Sequence, residues 1–217
     1  MAASVRNIIV GAASLFVSAN TSISGDPVAA LPTLASGTSA ATTIRTGADS
    51  ANWRDVGYTN NGLELSYEPS FGEVAVDQLL DSARLFKQGQ KVMLKTEFAE
   101  GTLENLFVVM NQTSGYNTAI ARKELGTDIQ GVQNAIEIQG GTLGDYPVER
   151  SLIAVGPGPR PTSGNNERVY YASRVMSMDT SAHGLKRDSG TFFPVSFRLL
   201  PVASTSNAYG KIIDRTY

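Results

Sequence analysis

The stretch "VGYTNNGLELSYEPSFGEVAVDQ", Val56 to Gln78, decides how the chain reads. Asn60, Asn61 and Gly62 tolerate positive φ and mark a turn. Behind them Leu63, Leu65 and Tyr67 alternate with Glu64, Ser66 and Glu68. That is the period of a half-buried strand. Pro69 is expected to end it. Val74 and Val76 start a second alternation beside Glu73 and Asp77. The segment holds no His, no Cys and no phosphate-binding loop. It carries shape, so chemistry has to be sought elsewhere.

Working outward, "FKQGQK" (86–91) predicts another turn, around Gly89. In "KVMLKTEF" (91–98), Val92, Leu94, Thr96 and Phe98 share one face of a strand, and Lys91, Met93, Lys95 and Glu97 share the other. A short helix follows near 102–111. Thr102 is its N-cap, Glu104 favours the first turn, and Leu103, Leu106, Phe107 and Met110 form one apolar stripe. Further strands are expected at Ala135–Gln139, Arg150–Val155, Arg168–Met178 and Phe192–Leu200. Pro194 places the last at an edge or a strand start. Loops fall at 140–147, 156–167 and 179–190. Many short strands with turn-rich spacers predict a mainly β fold: two packed β-sheets, a sandwich or partly closed barrel, with one short flanking helix and long loops. The 217 residues read as a single domain, 1–217. Residues 19–52, rich in Ser, Thr, Gly, Ala and Pro, read as a long loop or flexible N-terminal arm.

Composition narrows the function. A formal net charge of −2 argues against a protein that grips nucleic acid by neutralising many phosphates. The absence of cysteine removes disulfides, thiolate catalysis and zinc–thiolate sites. A single histidine, His183, leaves no multi-histidine metal site. No run reaches the ~20 apolar residues of a membrane span. "NIIVGAASLFVSAN" after Arg6 has the outline of a short secretory leader. Its rival is a pair of strands, Asn7–Val10 and Ser14–Ser18, and the small residues Gly11 to Ser14 interrupt the apolar run in the way that reading requires.

The chemical candidates are weak, and the expectation is no enzyme and no cofactor or metal. His183, with Asp179 and Asp188 nearby, reads as an exposed loop residue, because catalysis needs an oriented partner and a nucleophile. "GPGPRPTSG" (156–164) lacks the Gly-Lys-Ser/Thr ending of a phosphate loop, and its prolines remove backbone donors. Glu64, Glu68, Glu73 and Asp77 could form a carboxylate pair for glycoside hydrolysis. As the polar face of an alternating strand they read instead as a solvated or lumen-facing surface. Lys186 and Arg187 are too few for a nucleic-acid patch. Trp53 and Tyr58 serve as core or interface anchors.

Several pieces in order carry a resemblance: "NWRDVGYTNNGLELSYEP" (52–69), "VAVDQ" (74–78), "GQKVMLKTEFAEGTLENL" (89–106), "GTFFPVSFRLLP" (190–201) and "YGKIIDR" (209–215). Over most of residues 5–215 the chain resembles the major tail tube proteins of long-tailed, siphovirus-like bacteriophages. The resemblance implies hexameric rings stacked into a hollow conduit for genome delivery, with strands from six subunits lining one inner barrel. It implies an inter-ring bridging loop at about 68–91, with 19–52 as a second bridging arm. It also implies tape measure, tail terminator and tail-tip proteins as assembly partners, DNA only in transit, no membrane, and a location in the virion after synthesis in the host cytoplasm. Two other readings stand beside it. One is a carbohydrate-binding or -hydrolysing β-sandwich using Tyr58, Tyr67, Tyr170 and Tyr171 as platforms. The other is the tube ring of a contractile tail or secretion system.

Overall fold

The computed structural model describes residues 9–22, 26–111, 143–144, 147–159, 164–178, 181–185, 187–188, 190–203 and 208–217. The expected strand Ala135–Gln139 lies outside these residues, as do Asn7 and Ile8 of the first expected strand. The described chain is mainly β, with two short helices. Its strands are β1 (Ser14–Ser18), β2 (Trp53–Asp55), β3 (Thr59–Val74), β4 (Arg84–Phe98), β5 (Arg150–Pro157), β6 (Asn166–Ser177), β7 (Phe193–Leu199) and β8 (Gly210–Thr216). The helices are α1 (Ala40–Thr46) and α2 (Leu103–Val109). All pairings are antiparallel, in the order β2-β1-β5-β6-β7-β4-β3. β8 joins off this path by pairing with β6.

One short link shapes the sheet. β2 and β3 are its opposite ends, yet only Val56–Tyr58 separates them in sequence. Seven strands laid flat would hold those ends about 29 Å apart. Four residue steps reach at most about 14 Å. The sheet therefore curls until its ends nearly meet, and it stays open because β2 and β3 do not pair. Curling places Leu15, Val17, Leu152 and Ala154 in one core with Val92, Leu94, Val195 and Phe197. This is the partly closed barrel of the strand pattern, built as one hydrogen-bonded network whose two halves supply the packed layers.

α2 sits at the seam. Thr102 caps it, its Oγ1 accepting the Asn105 N–H at 3.2 Å. Asn105, only 1% exposed, donates from Nδ2 to the carbonyls of Val56 (3.0 Å) and Glu100 (2.9 Å). Its Oδ1 accepts from Arg54 Nη1 at 2.8 Å. One side chain thus ties β2, the link and the chain beyond β4 together. The buried face of α2 is Asn105, Val108 and Val109. The expected stripe is rotated away: Leu106 is partly buried and Met110 is exposed. Hydrophobicity alone does not find this face, because its centre is an amide held by hydrogen bonds.

β6 forks. Asn166–Ala172 pairs with β8, and Val175–Ser177 pairs on with β7. β5 and β6 are buried on both surfaces. One surface meets the main core. The other carries Ile153, Val155, Val169 and Tyr171, covered by Ala29, Ala40 and Ile44. Those last three belong to the stretch read as an arm, which contains the unforeseen helix α1 and lies against the sheet. Buried polar anchors pin it there. Glu167 accepts from Ser39 Oγ (2.8 Å) and from the Ala40 N–H (2.7 Å) and pairs with Arg215. α1 has no acid in its own first turn, so Glu167 supplies the anion that a helix start favours. Tyr171 Oη donates to the Ala29 carbonyl at 2.8 Å and its ring meets Trp53 edge-on. Trp53 is thereby a core anchor.

Three local expectations change. Asn61 and Gly62 do have positive φ (58° and 67°), but they form a bulge inside β3, between the Asn60–Glu97 and Glu64–Lys95 pairs, and the chain does not reverse. Pro69 does not end the strand. It sits opposite Gln90 in β3, an edge strand that tolerates a missing N–H. Gly89 is no turn either; it faces Ser70 beside a second bulge at Gln88.

Asn105→Ala should cost about 2–4 kcal/mol in denaturant unfolding, since it removes the donor to the Val56 and Glu100 carbonyls and one acceptor of Arg54 at once. Burial raises the Tyr171 hydroxyl above its ordinary value of 10.0. The unfolded phenol therefore ionises first as pH climbs past 10, and folding stability falls there. Tyr171→Phe should lose about 1 kcal/mol at pH 7 and show a shallower decline above pH 10 in pH-dependent melting.

Candidate functional site

The catalytic candidates do not converge. His183 is exposed and lies against Phe193, ring centroids 4.7 Å apart. Asp188 and Arg187 are exposed; Asp179 and Lys186, with 160–163 of the glycine- and proline-rich loop, lie outside the described residues. Glu64 and Glu68 are exposed on one face of β3, opposite Lys95 and Lys91, and the Glu73 carboxylate accepts from Ser82 Oγ at 2.8 Å. Tyr170 and Tyr171 are successive strand residues on opposite surfaces of β6, and Tyr171 is buried. They do not form one stacking platform. Tyr58 and Tyr67 are exposed. Among the described residues no three His, Asp or Glu side chains cluster as a metal site, and no helix is long and apolar enough to cross a membrane. A shallow depression of about 260 Å³ lies among Leu106, Val109, Met178 and His183.

The conspicuous feature is the segment read as a bridging loop. Residues 68–91 are mostly strand: β3 and β4 run on together to the Val74–Arg84 pair, with 75–83 as the tip. β7 accompanies β4 only over Met93–Phe98. Beyond Val92 the hairpin is a two-stranded ribbon. From Tyr67 to Val74 it reaches about 24 Å. Strand alternation survived as a local signal; the turn residues inside it did not act as turns because the partner strand absorbed them as bulges.

The ribbon has two different faces. Leu65, Tyr67, Pro69 and Phe71, with Lys87 and Leu85 opposite the last part of β3, continue the surface that carries Leu94 and Val92 into the core. The other face carries the Glu64–Lys95 and Glu68–Lys91 oppositions, then Ser70, Gly72 and Phe86. Tyr67 (55% exposed), Phe71 (57%) and Leu85 (60%) stand in solvent, and Leu80 at the tip is wholly exposed. Lys87 lies 5.3 Å from the Tyr67 ring centre and donates to Tyr67 Oη at 2.9 Å. Gly72 is the one buried ribbon residue, its Cβ space filled by the side chains of Phe86 and Gln88.

A lone two-stranded ribbon is marginal in water, and an exposed apolar edge strand invites pairing. Amide exchange should therefore divide the hairpin near Glu68 and Lys91, with the distal amides losing protection well before those of Val92–Phe98. Gly72→Val should expel Phe86 and speed distal exchange further, while the thermal midpoint of the body moves by less than about 2 °C. No family model matches this chain, and no curated protein matches its sequence.

Proposed function

We propose that this chain is the structural subunit of a phage tail tube, six copies forming a ring and rings stacking into a hollow conduit for genome delivery. The observation that carries this reading is the ribbon of residues 68–91, a hairpin with no third strand among the described residues and with aromatic and aliphatic side chains exposed. A hairpin of that kind gains its stability from whatever covers it. A second ring stacked on the first offers that cover. The order of sequence pieces that resembles tail tube proteins is what suggests this kind of assembly. In this reading the protein is no enzyme. Its partners are its own copies, the tape measure, terminator and tail-tip proteins, and DNA in passage, in a virion assembled from subunits made in the host cytoplasm.

Electron microscopy of concentrated protein, alone and with tail-initiation components, tests the reading; rings or tubes are the expected result, and a monomer under every condition would refute it. Tyr67 and Val92 face each other. Replacing residues 68–91 by Asn-Gly should thus leave a folded body that no longer stacks. Tubes formed by that variant would remove the ribbon from the bridging role.

A further inference from the structure

We propose that the free edge of β3 and the free edge of β8 are the two halves of one contact between copies, β8 of one copy lying beside β3 of the next. The inference rests on the tube reading and specifies which surfaces of the subunit meet.

Two observations coincide. The first is backbone supply. Among the described residues β3 pairs only with β4, and β8 only with β6, leaving free edges of 16 and 7 residues. β2, the other end of the sheet, is only three residues long. The second is side-chain exposure. Within described strands, large apolar residues stand in solvent at Leu65, Tyr67, Phe71 and Val74 of β3, at Leu85 and Phe86 of β4, and at Ile212 of β8. Apart from β4, which is β3's own partner, these are the two long strands with free edges among the described residues.

The surfaces also agree. Ile212 lies opposite Tyr170, which packs against the main core, so Ile212 belongs to the core-side surface of the sheet. Tyr67 and Phe71 continue the same surface beyond Val92. Joining the edges with that surface kept continuous sets Ile212 among the exposed aromatics of β3. On the reverse surface it sets Lys211 beside the row of Glu64 and Glu68. Apolar meets apolar on one side, and a cation meets carboxylates on the other. The two patches differ, so each copy offers one and accepts one. Such a heterologous contact closes into a ring when its rotation closes.

The chain has no cysteine, which makes disulfide trapping clean. Copies carrying Ser66→Cys or Ser70→Cys are co-expressed with copies carrying Lys211→Cys, allowed to assemble, and oxidised gently. The expected result is a mixed dimer on a non-reducing gel for at least one pair. Dimers of β3-cysteine copies with each other, or of Lys211→Cys copies with each other, would replace the proposal by a symmetric contact. Rings without any mixed dimer would overturn the edge pairing and leave the tube reading standing. No association at all would overturn both. As a second measurement, Ile212→Lys should keep the wild-type thermal midpoint, because that side chain is 60% exposed, and should abolish rings. Rings at wild-type yield would count against the contact.

Discussion

The three-residue link Val56–Tyr58 is the constraint on which the remaining structure depends. It joins the two ends of a sheet that would otherwise spread wider than the link can reach, so it dictates curvature before any side chain packs. Asn105, itself almost fully buried, then holds the seam with three hydrogen bonds. In such a place an unmet carbonyl is expensive, and a fully satisfied amide also selects one arrangement over its neighbours. The core follows from this. Leu15 and Val17 meet Leu94 and Phe197 because their strands are brought round to face each other.

Two regimes of stability share one hairpin. At its base β4 lies between β3 and β7, and Val92, Leu94 and Phe98 are buried. A few residues on, among the described residues, the same strands have only each other. The body is held by burial of apolar surface; the ribbon is held by cross-strand pairs, the Phe86 side chain lying over Gly72, and the Lys87–Tyr67 contact. On the opposite flank, residues 26–52 are fastened through Glu167 and Tyr171. The segment richest in loop-type residues is therefore tied down, while the segment with the clearest strand pattern stands out in solvent.

That inversion explains how much was legible in the sequence. Period-two alternation located β4, β5, β6 and β7, because each buries at least one face along part of its length, and it located the middle of β3, whose alternating Leu65 and Tyr67 are exposed. The strand expected at Ser14–Ser18 coincides with β1. α1 escaped because its buried side chains are only Ala40 and Ile44, and its anchor, Glu167, is 127 residues away. The working face of α2 escaped because its key residue is polar. Local preference makes breaks of Pro69, Gly62 and Gly89; pairing with β4 over thirteen positions overrides it, taking Gly62 into a bulge and leaving Pro69 opposite Gln90 and Gly89 opposite Ser70. A bridging role for 68–91 is what the resemblance implies, whereas its form as a ribbon is visible only in the fold.

The fork in β6 also has a mechanical meaning. A pull applied to β8 is delivered to the first half of β6, and the second half hands it to β7, β4 and finally β3. Tension between the two free borders of the molecule is thus shared across successive ladders of backbone bonds, with no flexible loop in series.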